Sequence, residues 1–166
     1  DRVGRMIQRD IHHPAAIMWS LGNESGAGSN HEAAAAFARD FDPSRPLHYE
    51  GGIRGNWMGS HSLTDVICPM YPAITAIKEY ATSAKADRPL IMCEYSHAMG
   101  NSNGTLAEYW EVIETTRGLQ GGFIWEFWDH GPVQTMPDGS KRNAYGGDYG
   151  EKKHDGNFCC DGMVFP

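Results

Sequence analysis

The chain has 166 residues, 40% hydrophobic and 21% charged, enough for one sizeable core in a globular protein. Its net charge of -7 argues against nucleic acid or an anionic membrane as a partner. No apolar run approaches the roughly 20 residues a membrane helix needs, and the start shows no signal-peptide pattern.

Residues 1 to 9 place Val3, Met6 and Ile7 on one helical face, and His13-Pro14 stops that helix. Ala15 to Leu21 is a near-continuous apolar run, the pattern of a parallel strand covered on both faces. A glycine-rich loop, Gly22 to Gly28, holds Asn23, Glu24 and Ser25. Ser29 and Glu32 form a capping box for a helix to about Phe41. A turn over 42–46 leads into a short strand, Leu47 to Glu50, and a loop to Ser62. Asp65 to Tyr71 reads as a third strand and Ala73 to Ala84 as a helix. Leu90 to Glu94 is the fourth strand. Thr105 and Glu108 form a second capping box, for a helix to about Thr116 with Leu106, Tyr109, Trp110 and Ile113 on one face. Gly121 to Trp128 is the fifth strand. From Asp129 on, periodicity disappears; the tail reads as a long loop or short hairpin region with a tight turn at Pro137-Asp-Gly139.

Strands alternating with helices predict a parallel α/β sheet. Polar residues at strand ends favour a TIM (β/α)8 barrel, whose chemistry lies at the C-terminal face of the sheet. Five strands are too few to close a barrel of eight. The expected fold is therefore about the C-terminal half of one, roughly strands 4 to 8, plus a closing loop region. Residues 1–166 form one partial catalytic barrel domain, with β/α units over 1–128 and a loop-rich tail over 129–166. A doubly wound nucleotide fold would carry G-x-G-x-x-G after the first strand; Gly22, Gly26 and Gly28 lack that spacing. Beginning at Asp1 and ending on an apolar run into Pro166, the chain reads as a piece of something longer.

Two apolar runs each deliver one acid: Ala16 to Glu24 and Leu90 to Glu94. Two carboxylates at barrel strand ends can flank a glycosidic bond, one protonating the leaving oxygen while the other attacks the anomeric carbon or activates water. The plainer alternative is two surface acids in loops. Asn23 either binds a sugar hydroxyl or simply shapes the loop. Tyr71, at the end of the third strand, either hydrogen-bonds the Glu94 carboxylate or packs at the rim. His97 either binds sugar or makes a structural hydrogen bond. Trp125 and Trp128 can stack on a sugar ring or fill the core; Trp110, on a helix face, is the clearest core candidate. Cys93 reads as core, not nucleophile. No zinc pattern occurs among the eight histidines, and Ser25 lacks the context of a hydrolase elbow. The four cysteines form no C-x-x-C pair and read as free thiols in a reducing compartment.

Several segments resemble the large β-galactosidases of glycoside hydrolase family 2: Trp19 to Gly26, Ile67 to Tyr71, Cys93 to Ser102, Gly121 to Trp125, Tyr145 to Gly150 and Asn157 to Gly162. They run in order over almost the whole chain. The resemblance implies a retaining hydrolase that releases terminal β-D-galactose from β-galactosides such as lactose by double displacement. Glu24 matches the general acid/base and Glu94 the nucleophile. Asn23, Tyr71, His97 and Trp125 match residues that bind galactose or support the nucleophile. The resemblance also implies Mg2+, with Glu24 as one ligand and a Glu and a His upstream of this chain. It implies Na+ held by Phe158 and Asp161, where Asp161 replaces the Asn of the best-known member. A cytoplasmic, homo-oligomeric full-length protein is implied, and the 166 residues alone are expected to be poorly stable and inactive. The alternatives are a β-glucuronidase or β-mannosidase of the same family, or a non-catalytic carbohydrate-binding relative.

Overall fold

A computed structural model describes residues 1–165. Its elements, in chain order, are α1 (Arg2–Asp10), β1 (Trp19–Ser20), α2 (Ser29–Phe41), β2 (Leu47–His48), a 3-10 turn (Glu50–Ile53), α3 (Ile74–Thr82), β3 (Leu90–Tyr95), α4 (Leu106–Thr115), β4 (Leu119–Ile124), β5 (Val133–Thr135) and β6 (Lys141–Asn143).

Five extended segments lie side by side in chain order. β1 pairs in parallel with β2, and β3 with β4. Between the two pairs runs 65–71, the segment expected to be the third strand. It is not a regular strand, because Pro69 has no N–H to give to the ladder. It nevertheless bridges both neighbours. The Asp65 N–H donates to the Leu47 carbonyl at 2.8 Å, and the Ile91 N–H to Ile67 at 2.9 Å. Parallel bridges join Ile67 to Leu90 and Met70 to Glu94. The five segments stop short of a closed barrel, and no closed barrel is present among the described residues.

Two apolar clusters fill one sheet-and-helix layer. One gathers Ile7, Trp19, Leu21, Ala38, Leu47 and Tyr49 under α1 and α2. The other gathers Ile67, Ile77, Leu90, Met92, Ile113 and Leu119 under α3 and α4. Asp42 pins the first cluster. Its carboxylate accepts from Trp19 Nε1 at 2.9 Å and pairs with Arg45 at 2.7 Å. Hydrogen bonds from Ser44 and Arg45 hold its pKa well below the usual carboxylate range.

In the second cluster β4 approaches β3 through Gly122. A Cβ there would lie 2.8 Å from Met92 Cβ and 3.0 Å from the Tyr95 ring. Only glycine permits that spacing.

Several expectations need correction. The first strand is only Trp19–Ser20; Pro14 and Ala15 form a turn, 16–18 are irregular, and Ile17 is 66% exposed, so that apolar run is not buried on both faces. The fifth strand ends at Ile124, so Trp125 and Trp128 lie beyond it, in a segment that begins with a cis Trp125–Glu126 peptide bond. Neither capping box forms: Gly28 is the N-cap of α2, and Thr105 turns its hydroxyl to the Gly104 carbonyl instead of capping α4. Trp110 is not core. It is 40% exposed and donates its indole N–H to Tyr95 Oη at 3.0 Å. The tail does hold a hairpin, β5 against β6, around Pro137 to Gly139. It then folds back so that 161–164 pairs with 126–129 beyond the end of β4.

Candidate active site

In parallel sheets side chains at the C-terminal strand ends converge on one face. Glu94 is the penultimate residue of β3 and only 9% exposed. Its neighbours fix it by their backbones. Tyr71 N–H donates to the Glu94 carbonyl at 2.8 Å, and Trp125 N–H donates to Tyr95 at 3.0 Å. The Tyr71 hydroxyl then donates to Glu94 Oε2 at 2.7 Å. The phenol therefore supports the carboxylate, one of the two roles its sequence position allowed.

Electrostatics pull on Glu94 from both sides. Burial pushes its pKa up; the Tyr71 hydrogen bond and His97 pull it down, while Glu24 and Glu50 push it up. The net direction is upward. Tyr71 is also pushed up, by burial first and then by its bond to Glu94.

His97 stands edge-on to Tyr71, ring centroids 5.9 Å apart, and 6.0 Å from Phe158. Its Nε2 lies 3.6 Å from Asp161 Oδ2. The same oxygen accepts the Trp125 indole N–H at 3.0 Å. Asp161 is 1% exposed, and its other oxygen, Oδ1, has no hydrogen-bond partner among the described residues. Beside it Glu126 is pushed up, by burial and by the Asp161 carboxylate, and pairs with His130 at 3.1 Å. Tyr71, Glu94, His97, Trp125, Phe158 and Asp161 therefore form one contiguous group.

Glu24 belongs to a different setting. It is exposed, in the loop after β1, with a left-handed φ of +49°. That conformation costs a non-glycine residue roughly 1–2 kcal/mol. Its amide donates to Glu50 Oε1 at 2.6 Å. Asn23 is exposed, and its side chain makes no hydrogen bond among the described residues. A cleft of about 260 Å³ is bounded by Glu24, Glu50, Arg54, Trp57, Met70 and Pro72. A hollow of about 660 Å³ between α1 and α2 contains none of the strand-end acids.

Sequence reading did not single out Glu50. The signal was present, since the short strand expected over 47–50 also ends on an acid, as the fourth does at Glu94. Cys93 is no nucleophile: its thiol donates to the Cys68 carbonyl, and burial pushes its pKa up to about 12. All four cysteines are free.

Residues 1–166 match the family description "Glycosyl hydrolases family 2, TIM barrel domain" over their whole length. The chain belongs to glycosyl hydrolase family 2. A β-galactosidase of Klebsiella pneumoniae is 48% identical over 176 residues, covering 99% of this chain and 16% of the relative. A β-galactosidase of Lactococcus lactis is 48% identical over 174 residues, covering 100% of this chain and 17% of the relative. The chain thus spans about a sixth of the length of these curated relatives. Among solved structures, a family 2 member from Bacteroides cellulosilyticus superposes with a TM-score of 0.54 at 23% identity, over 76% of this chain and 17% of the other. A β-glucuronidase of Bacteroides uniformis gives 0.55 at 17% identity, over 98% of this chain and 23% of the other. These two likenesses concern the fold alone. For a family 2 barrel domain, the five parallel segments in chain order are what an incomplete barrel contains. No helix among the described residues is long and apolar enough to cross a membrane.

Proposed function

We propose that residues 1–166 are a partial catalytic domain, roughly strands 4 to 8 of the barrel, carrying both catalytic carboxylates of a retaining β-galactosidase. The observation that carries this reading is the Glu94 carboxylate, buried at a strand end and held by the Tyr71 hydroxyl at 2.7 Å. The names of the curated relatives support galactose as the sugar.

Glu24, protonated, donates its proton to the departing glycosidic oxygen. Glu94, ionised, attacks the anomeric carbon and forms a glycosyl ester. Glu24, now a carboxylate, takes a proton from water as that water releases the sugar with retention. The Tyr71 hydrogen bond favours the ionised form of Glu94 against the effect of burial. It also gives the ester oxygen a donor when the sugar leaves. Trp125 and His97, tied to Asp161, present an indole face and an imidazole to the sugar, and Asn23 beside Glu24 binds a hydroxyl near the reacting carbon.

Two metal ions fit this reading. The unpartnered buried oxygen of Asp161 suits a monovalent cation, with Phe158 contributing its backbone carbonyl. Glu24 is exposed and tied only through its amide, which leaves its carboxylate able to serve a Mg2+ ion completed by ligands outside this chain. Among the described residues no three His, Cys, Asp or Glu side chains gather to hold a metal by themselves. When bound, such cations balance the negative charge collected around the sugar. A cytoplasmic location suits four free thiols. The full-length protein is taken to be a homo-oligomer, and the isolated segment to be inactive because its sheet edges and metal shell are incomplete.

The test is a panel of aryl β-D-galactoside, β-D-glucuronide and β-D-mannoside given to the full-length protein. The galactoside is expected to be cleaved fastest, with β-galactose the first anomer seen by NMR. Faster cleavage of the glucuronide or mannoside, or α-galactose as the first product, would overturn the reading. No cleavage of any of the three would leave a carbohydrate-binding relative.

A further inference from the structure

Glu50 opens the 3-10 turn that follows β2 and takes no part in the mechanism above. Its Oε1 accepts the backbone N–H of Glu24 at 2.6 Å. Its Oε2 is buried and has no hydrogen-bond partner among the described residues. A buried, half-satisfied carboxylate is costly, and such groups persist where the fold is shaped for another purpose.

The segment around Glu50 grips the Glu24 loop and the start of α2 that follows it. The Tyr49 hydroxyl donates to the Gly26 carbonyl, and the Tyr49 ring stacks on His31 with centroids 4.7 Å apart. At Gly51 an added Cβ would lie 2.6 Å from the Gly26 carbonyl oxygen. Among these contacts the Glu50 bond is the one that reaches Glu24 itself. Glu24 also has the left-handed φ of +49°, a conformation that an unsupported loop residue relaxes away from.

We propose that Glu50 is a positioning residue that fixes the backbone of Glu24 and so aims its carboxyl group at the leaving oxygen. The inference rests on Glu24 being the acid/base. A carboxylate suits the task, because a charged acceptor binds an N–H about twice as strongly as a neutral one. Both residues line the cleft of about 260 Å³, together with Met70, whose segment bridges to Glu94.

The test uses leaving-group dependence in the full-length enzyme. A 2,4-dinitrophenolate departs without a proton, whereas the alcohol of lactose needs one. The readout is kcat/KM, which reports the glycosylation step for both. Glu50→Ala is expected to lower kcat/KM for lactose by about 10²-fold and for the dinitrophenyl galactoside by less than about 3-fold. Glu50→Gln keeps the shape and a neutral acceptor. It is expected to stay within about 10-fold of wild type on lactose, with a smaller split of the same sense. Equal losses on both substrates in the variants that fold, or no loss, would overturn the proposal. Glu24→Ala is the control. If it shows no split, the assignment of Glu24 has failed; if it shows one and the Glu50 variants do not, only the role of Glu50 has failed.

Discussion

Glu94 and Glu24 are held by different means. Glu94 sits inside β3, almost buried, with a backbone ladder on each side and a phenol on its carboxylate. Glu24 sits beyond β1 in an exposed loop, in a left-handed conformation, tethered through its amide to another acid. The difference suits the two roles proposed for them, Glu94 as nucleophile and Glu24 as proton donor. A nucleophile must meet one carbon at one distance, which a strand in mid-sheet enforces. A proton donor must serve a leaving group and afterwards a water, and a tethered loop lets its carboxyl group do both. The rigid partner is defined by burial, and the adaptable one by a single backbone hydrogen bond.

Mutations can break this contrast at either pole. The largest effect is expected from Glu94→Gln in the full-length enzyme, with turnover of an aryl galactoside falling more than about 10⁴-fold while the circular dichroism spectrum is unchanged. Glu24→Ala comes next, with kcat/KM on lactose falling about 10²–10⁴-fold and far less on the dinitrophenyl galactoside. Tyr71→Phe removes a hydrogen bond to a charged group, a loss of about 10–100-fold in kcat/KM. It also shifts the pH profile. The phenol stabilises ionised Glu94, so its removal raises the pKa of Glu94. Activity needs Glu94 ionised and is lost as pH falls through that pKa, so the acid limb of kcat/KM against pH should move to higher pH. A shift to lower pH would contradict the arrangement. The smallest effect is expected from Asp161→Ala, which frees Trp125 and His97 together: KM rises about 5–10-fold with kcat little changed.

The chain's order of alternating elements was legible because buried strands and amphipathic helices differ in apolar period, and α1 to α4 fall within a few residues of their expected bounds. Strand lengths were legible only in part: the fourth strand, expected over 90–94, runs Leu90–Tyr95, but the others are shorter or shifted. The run at 15–21 is apolar, yet only Trp19 and Ser20 pair, because Pro14 and Ala15 form a turn and 16–18 are irregular. Pro69 breaks the third ladder for a reason the sequence contains, although the flanking bridges depend on both neighbours. The caps failed because a Ser-x-x-Glu pattern states only what is possible; Gly28 took the capping position one residue earlier. In the site, the acids at strand ends could be picked out, since alternation and a terminal polar residue are local. Asp161 was named only through the family resemblance; that one of its oxygens serves Trp125, 36 residues earlier, was not legible, because nothing local marks a side chain that arrives from a returning tail.

Gly122 shows how misleading a catalogue of inactivating mutations can be. The residue has no side-chain functional group, but it sets the thickness of the seam between β3 and β4. Trp125 follows one side of that seam, and Glu94 lies one residue from the end of the other. A methyl group at 122 would act as a shim, widening the gap between the proposed sugar platform and the nucleophile while leaving every reactive atom in place. A genetic screen that scored only lost activity would put Gly122 in the same class as Glu94. Substrate binding and turnover measured separately would tell a mis-set gauge from a missing tool.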